Sequence, residues 1–148
     1  SVNEISKPCE HGMGNPAFYG KAVLWNEHCY YLSVQIFDIS EASTFCESNG
    51  ATLATLGDED EDEAARSLVG GSATPAFIGY TDVGKIGRFR WMTGEILIGK
   101  NGKKYENSAL LSDSGYVSNT HTKHCSVIRD GGWQLMDCDS KQLAVCEV

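Results

Sequence analysis

Six cysteines in a chain of 148 residues constrain the fold more than any other feature. Cys125, Cys138 and Cys146 crowd the C-terminal run HCSVIRDGGWQLMDCDSKQLAVCEV, Cys46 stands alone, and Cys9 and Cys29 lie ahead of it. An even number at uneven spacing suits three disulfides better than a thiolate metal site, because zinc sites usually show paired cysteine knuckles and this chain has none. Stable disulfides need an oxidising compartment, so a secreted or extracellular protein is expected. Six cysteines admit fifteen pairings, and spacing alone leaves them open.

A chain of this length is expected to form one domain, spanning 1–148, that buries a core before any disulfide is counted. Hydrophobic residues make up 41% and charged residues 22%, values of a globular rather than a disordered chain. No window reaches the roughly 20 apolar residues that cross a bilayer, so membrane insertion is not expected. The chain opens on the polar stretch SVNEISKP, which reads as the start of a mature form from which any signal peptide has been removed. The formal charge of -8 argues against nucleic acid and anionic lipid surfaces, both of which recruit Lys and Arg.

Residues 1–28 read as a Gly- and Pro-punctuated strap leading into a hairpin, with Ala22–Trp25 and His28–Leu32 as facing strands. Ser40 is the expected N-cap of a first helix that Gly50 stops, with Ala42, Phe45 and Cys46 on its buried face. Asp58 and Glu61 have capping-box spacing for a second helix, whose stripe is Ala64, Ala65, Leu68 and Val69 and whose end is Gly70-Gly71. Strands are then expected at Phe77–Tyr80, Arg88–Trp91, Cys125–Ile128, Gly132–Leu135 and Leu143–Cys146. Trp25, Trp91 and Trp133 are assigned to the core, because aromatic side chains dominate buried area. The polar stretch 97–124 has little periodicity, and loops of that length in compact domains usually carry function.

The order of these landmarks resembles the C-type lectin-like domain family. Cys46 sits on the first helix, Phe77-Ile78-Gly79-Tyr80 is similar to a Trp-Ile-Gly-Leu strand motif, and Arg90-Trp91-Met92-Thr93-Gly94 is similar to an R-W-x-x-G turn. The run from Cys125 through Gly132-Trp133 and Cys138 to Val145-Cys146-Glu147 matches the closing pattern. The resemblance implies an α+β fold, two helices flanking a mostly antiparallel sheet with a long excursion loop over 97–124. It also implies the bridges Cys46–Cys146 and Cys125–Cys138, with Cys9–Cys29 as the extra bridge of long-form members.

Sugar-binding members hold calcium with a Glu-Pro-Asn or Gln-Pro-Asp motif, a Glu before the third framework cysteine, and a Trp-Asn-Asp motif. Here Gln134 and Leu135 follow Trp133, Thr122-Lys123-His124 precede Cys125, and the loop contains no proline, its nearest echo being Lys104-Tyr105-Glu106-Asn107. Calcium needs six to eight oxygen ligands, so the usual site is expected to be degenerate. At an auxiliary calcium site Asp82 matches one position, while Ile86 occupies a second. The resemblance further admits a structural calcium at Glu61, Glu63 and Glu147, and no cofactor is required. The bland reading of the acidic run Asp58–Glu63 is a solvated helix N-terminus that complements the macrodipole.

His121 and His124 are two imidazoles without a defined metal geometry, and Lys100–Lys104 reads as an exposed turn. No nucleophile elbow, zinc-protease signature, P-loop or dinucleotide fingerprint is present, so no enzyme activity is expected. The favoured function is a secreted module that binds an extracellular protein or glycan through the long loop. Tyr105, Glu106, Asn107, Leu110, Leu111 and Tyr116 are its candidate ligand-binding residues, with Tyr105, Leu110, Leu111 and Tyr116 as exposed anchors. The alternative is a calcium-dependent lectin with an altered ligand set drawn from Glu106, Asn107, Asp113 and Asn119. A third reading is a matrix protein that uses the acidic Asp58–Glu63 face.

Overall fold

A two-residue turn starts the described fold. Strands β1 (Tyr19–Trp25) and β2 (His28–Ser33) run antiparallel, and Asn26 and Glu27 between them hold φ of 48° and 67°. Two successive left-handed residues give the turn a twist that matches its flanking strands. The structure is a computed structural model that describes residues 19–85, 88–95, 105–106 and 123–148. Cys9, and with it the expected Cys9–Cys29 bridge, lies outside the described residues.

Strand β8 (Leu143–Glu147) organises the sheet. It pairs antiparallel with β2 through Tyr30, Tyr31 and Leu32, and parallel with β4 (Ala76–Thr81). On the far side of β4 lies β6 (His124–Arg129), which forms a hairpin with β7 (Gly132–Asp137). The order is β1-β2-β8-β4-β6-β7, with β3 (Thr52–Leu53) added to β8 and β5 (Arg90–Trp91) added to β4. Of the strand expected over 88–91, only Arg90 and Trp91 join the ladder, opposite Thr81 and Tyr80.

Alternate residues of the sheet serve two cores, as the two-residue period of a strand requires. Tyr31, Phe77, Val127 and Cys146 cluster with Ile39, Ala42 and Cys46 of helix α1 (Ile39–Ser48). Tyr30, Ile78, Ile128 and Val145 cluster with Ala64, Ala65, Leu68 and Val69 of helix α2 (Glu59–Val69). The fold is thus α+β, with helices flanking a mostly antiparallel sheet. Gly79 permits the close approach of β4 to its neighbour: a Cβ there would lie 3.3 Å from the Ala54 carbonyl, whose oxygen accepts from the Gly79 N–H at 2.9 Å.

Two expectations are corrected. The N-cap of α1 is Asp38, not Ser40. Asp38 Oδ1 accepts from the Glu41 N–H at 2.8 Å and Glu41 Oε1 accepts from the Asp38 N–H at 3.0 Å, a reciprocal box that serves two otherwise orphaned donors. Trp25 is 37% exposed rather than core, because it ends the edge strand β1. Trp91 and Trp133 are buried as expected. Both framework bridges form, Cys46–Cys146 with Cα atoms 5.5 Å apart and Cys125–Cys138 with Cα atoms 5.1 Å apart.

Candidate ligand-binding face

Asp62 is the residue on which this face is built. It lies on the buried stripe of α2 with no exposed surface, and a carboxylate is kept there only by donors that replace water. Oδ1 accepts from Trp133 Nε1 at 2.7 Å and from Arg66 Nε at 3.0 Å, one helical turn on, while Oδ2 accepts from the Tyr105 hydroxyl at 2.6 Å. Arg66 Nη1 donates onward to the Asp130 carbonyl at 2.7 Å, tying the β6–β7 turn to the helix. One carboxylate therefore joins α2, β7 and the long loop.

An aromatic cluster surrounds this node. The Trp133 ring meets Trp91 edge-on at 6.0 Å and Tyr105 edge-on at 5.8 Å, with Tyr80 tilted at 5.8 Å. The Tyr80 hydroxyl donates to Glu106 Oε2, a second tie between sheet and loop. Burial, reinforced by the hydrogen bond to Asp62, pushes the Tyr105 phenol above its ordinary 10.0, so it stays a donor at physiological pH. Tyr105 was expected to stand exposed, yet it is half-buried, because its ring packs on Trp133 and its hydroxyl finds a buried carboxylate. Glu106 is half-buried as well. Asn107, Leu110, Leu111 and Tyr116 lie outside the described residues, as do Asp113, Asn119 and His121.

At the positions where the resemblance puts calcium ligands, other chemistry is found. Gln134 is exposed, and its Oε1 accepts from Arg129 Nε at 3.0 Å. Leu135 packs against the apolar cluster that contains Trp133. Lys123 is exposed, and His124 is buried. Asp82, fully buried, accepts from the His124 backbone N–H and so clamps the end of β4 to the start of β6.

Glu61, Glu63 and Glu147 are not brought together as a group placed to hold a metal ion among the described residues. Glu63 is exposed. Glu61 Oε2 accepts from the Tyr30 hydroxyl at 2.9 Å, and Glu61 Oε1 from the Gly57 N–H at 3.3 Å. Glu147 Oε1 accepts from Thr55 N and Oγ1 at 2.9 and 3.1 Å, and Oε2 lies 2.9 Å from His28 Nδ1. These oxygens already serve hydrogen-bond donors, which a calcium ion would have to displace. Among the described residues no group of three or more His, Cys, Asp or Glu is placed to hold a metal ion.

Glu147 carries a pH dependence with a definite sign. Burial raises its pKa above the ordinary 4.5, partly opposed by the Thr55 backbone hydrogen bond. A raised folded pKa favours the protonated acid, so this contribution to stability is present below 4.5 and is lost as pH rises through the folded value. Glu147→Gln should flatten the stability profile between 4.5 and the folded value, as read by urea unfolding at a series of pH values. Parallel profiles for the two proteins would contradict the assignment.

The sequence reading missed Asp62 as a node, although a signal was present. Asp62, Ala65 and Val69 follow i, i+3, i+7 spacing, which puts the carboxylate on the apolar stripe.

The family model of the Lectin C-type domain matches residues 37–148. Collectin-43 of Bos taurus is 26% identical over 136 residues, which is 87% of this chain and 40% of that protein. The mannose-binding protein of Gallus gallus is 30% identical over 107 residues, 71% of this chain and 38% of that protein. The chain thus spans about two fifths of these curated relatives' lengths. Among solved structures, the carbohydrate-recognition domain of the mouse scavenger receptor C-type lectin superposes with a TM-score of 0.69 at 21% identity, covering 91% of this chain and 98% of that one. No helix among the described residues is long and apolar enough to cross a membrane.

Proposed function

The chain belongs to the C-type lectin domain family, and on that footing we propose an extracellular binding module that recognises a protein or glycan through its long loop without the usual calcium-dependent monosaccharide site. The observation that carries this reading is Leu135. Its side chain offers no oxygen, packs on the Trp133 cluster, and stands where the family's motif has a carboxylate. Gln134, engaged with Arg129, and the cationic Lys123 support it, since each removes a ligand from an ion that needs six to eight oxygens. The ties from Tyr105 to Asp62 and from Glu106 to Tyr80 would hold the base of the loop on the domain without a metal. Disulfides at Cys46–Cys146 and Cys125–Cys138 suit a secreted protein.

The competing reading, a calcium-dependent lectin that draws on Glu106, Asn107, Asp113 and Asn119, is disfavoured at Glu106, one oxygen of which already accepts from Tyr80. Glycan-array and protein-array binding in calcium and in EDTA separates the two. The proposed module keeps its signals in EDTA, whereas the altered lectin loses all of them.

A further inference from the structure

Beyond the long loop, a cleft of about 410 Å3 opens where β4 gives way to β5. Lys85, Arg88 and Arg90 line it together with Thr81, Trp91 and Met92, and all three cations are exposed. Among the described residues no acidic side chain lines this cleft, in a protein whose formal charge is -8. Among the described residues none of the three cations makes an ion pair or side-chain hydrogen bond. Lys123 is likewise unpaired among the described residues, whereas three other cations are engaged. Arg66 is bound by Asp62, Arg129 by Gln134, and Lys141 by Glu41. Like charges left unpaired around one concavity raise its potential and concentrate anions there. Trp91, which is 3% exposed, forms part of the wall, and its indole N–H is buried with no acceptor among the described residues.

We infer that this cleft binds an acidic sugar, one bearing a sulfate or carboxylate group. The two guanidinium groups present planar, paired donors that match such oxyanions, and Lys85 supplies a third charge. Met92, 43% exposed, offers apolar surface for a ring face. The volume suits a ligand of one or two rings rather than an extended polymer. This site uses none of the long-loop residues, so its ligand is independent of the function proposed above.

The test is calorimetric titration with a sulfated disaccharide, its unsulfated parent, inorganic sulfate and a phosphotyrosine peptide. The partner proteins are wild type, Arg88→Gln/Arg90→Gln, and Lys21→Gln/Lys141→Gln, which loses the same net charge elsewhere. The sulfated disaccharide should bind wild type more tightly than any other probe, and the arginine variant should lose at least about tenfold for each guanidinium removed. The lysine variant should match wild type. No binding to wild type, equal losses in both variants, equal binding of the unsulfated parent, or tighter binding of sulfate or the phosphopeptide would each overturn the inference.

Discussion

Asp62→Ala should destabilise the domain by about 3–5 kcal/mol in urea unfolding, because removing one partner of a buried pair leaves the other uncompensated. Three donors lose their acceptor at once: the Trp133 indole, the Arg66 guanidinium and the Tyr105 hydroxyl. Asp62→Asn, which keeps an oxygen but loses the charge, should cost about half as much. The same substitutions should release Tyr105 from the helix, so its phenol should titrate closer to 10.0. A loss below about 1 kcal/mol for the alanine variant would show that the node is not a determinant of stability.

The two framework disulfides should contribute unequally. Cys46–Cys146 closes a separation of 100 residues, and its loss to paired alanines should cost about 4–5 kcal/mol by the loop-entropy argument. Cys125–Cys138 closes only 13 residues and should cost about 3 kcal/mol. Both bridges are buried, which makes truncation costs additional to the entropy term in each case. The order is checked by thermal unfolding of the two double variants. A larger loss for Cys125–Cys138 would mean that the unfolded chain is not what the long bridge constrains.

Much of the fold was legible because it rests on hydrophobic spacing. The stripe Ala64, Ala65, Leu68 and Val69 ended at Gly70 as read, and the hairpin strands met across Asn26 and Glu27. What failed has physical causes. Ser40 and Asp38 are both good capping residues, and only the reciprocal reach of Glu41 decides between them. Trp25 looked like core because sequence cannot tell an edge strand, with one open flank, from a central one. Asp62 lay hidden in the run Asp58–Glu63, since its partners Tyr105 and Trp133 are 43 and 71 residues away. Of the six loop residues singled out for ligand binding, Tyr105 and Glu106 lie among the described residues, and both are anchored on the domain. The cationic cleft escaped notice although Lys85, Arg88 and Arg90 fall within six residues, because Arg88 and Arg90 were read as part of a strand and the concavity they line with Thr81 and Met92 has no sequence signal.

Calorimetric titration of the metal-free protein with calcium bears most directly on whether this lectin domain has given up the ion. With Leu135 in an apolar cluster and Glu61 and Glu147 committed to hydrogen bonds, titration into the millimolar range should give no saturable heat. One-to-one binding in that range, abolished by substituting Glu106 or Asn107, would contradict the account.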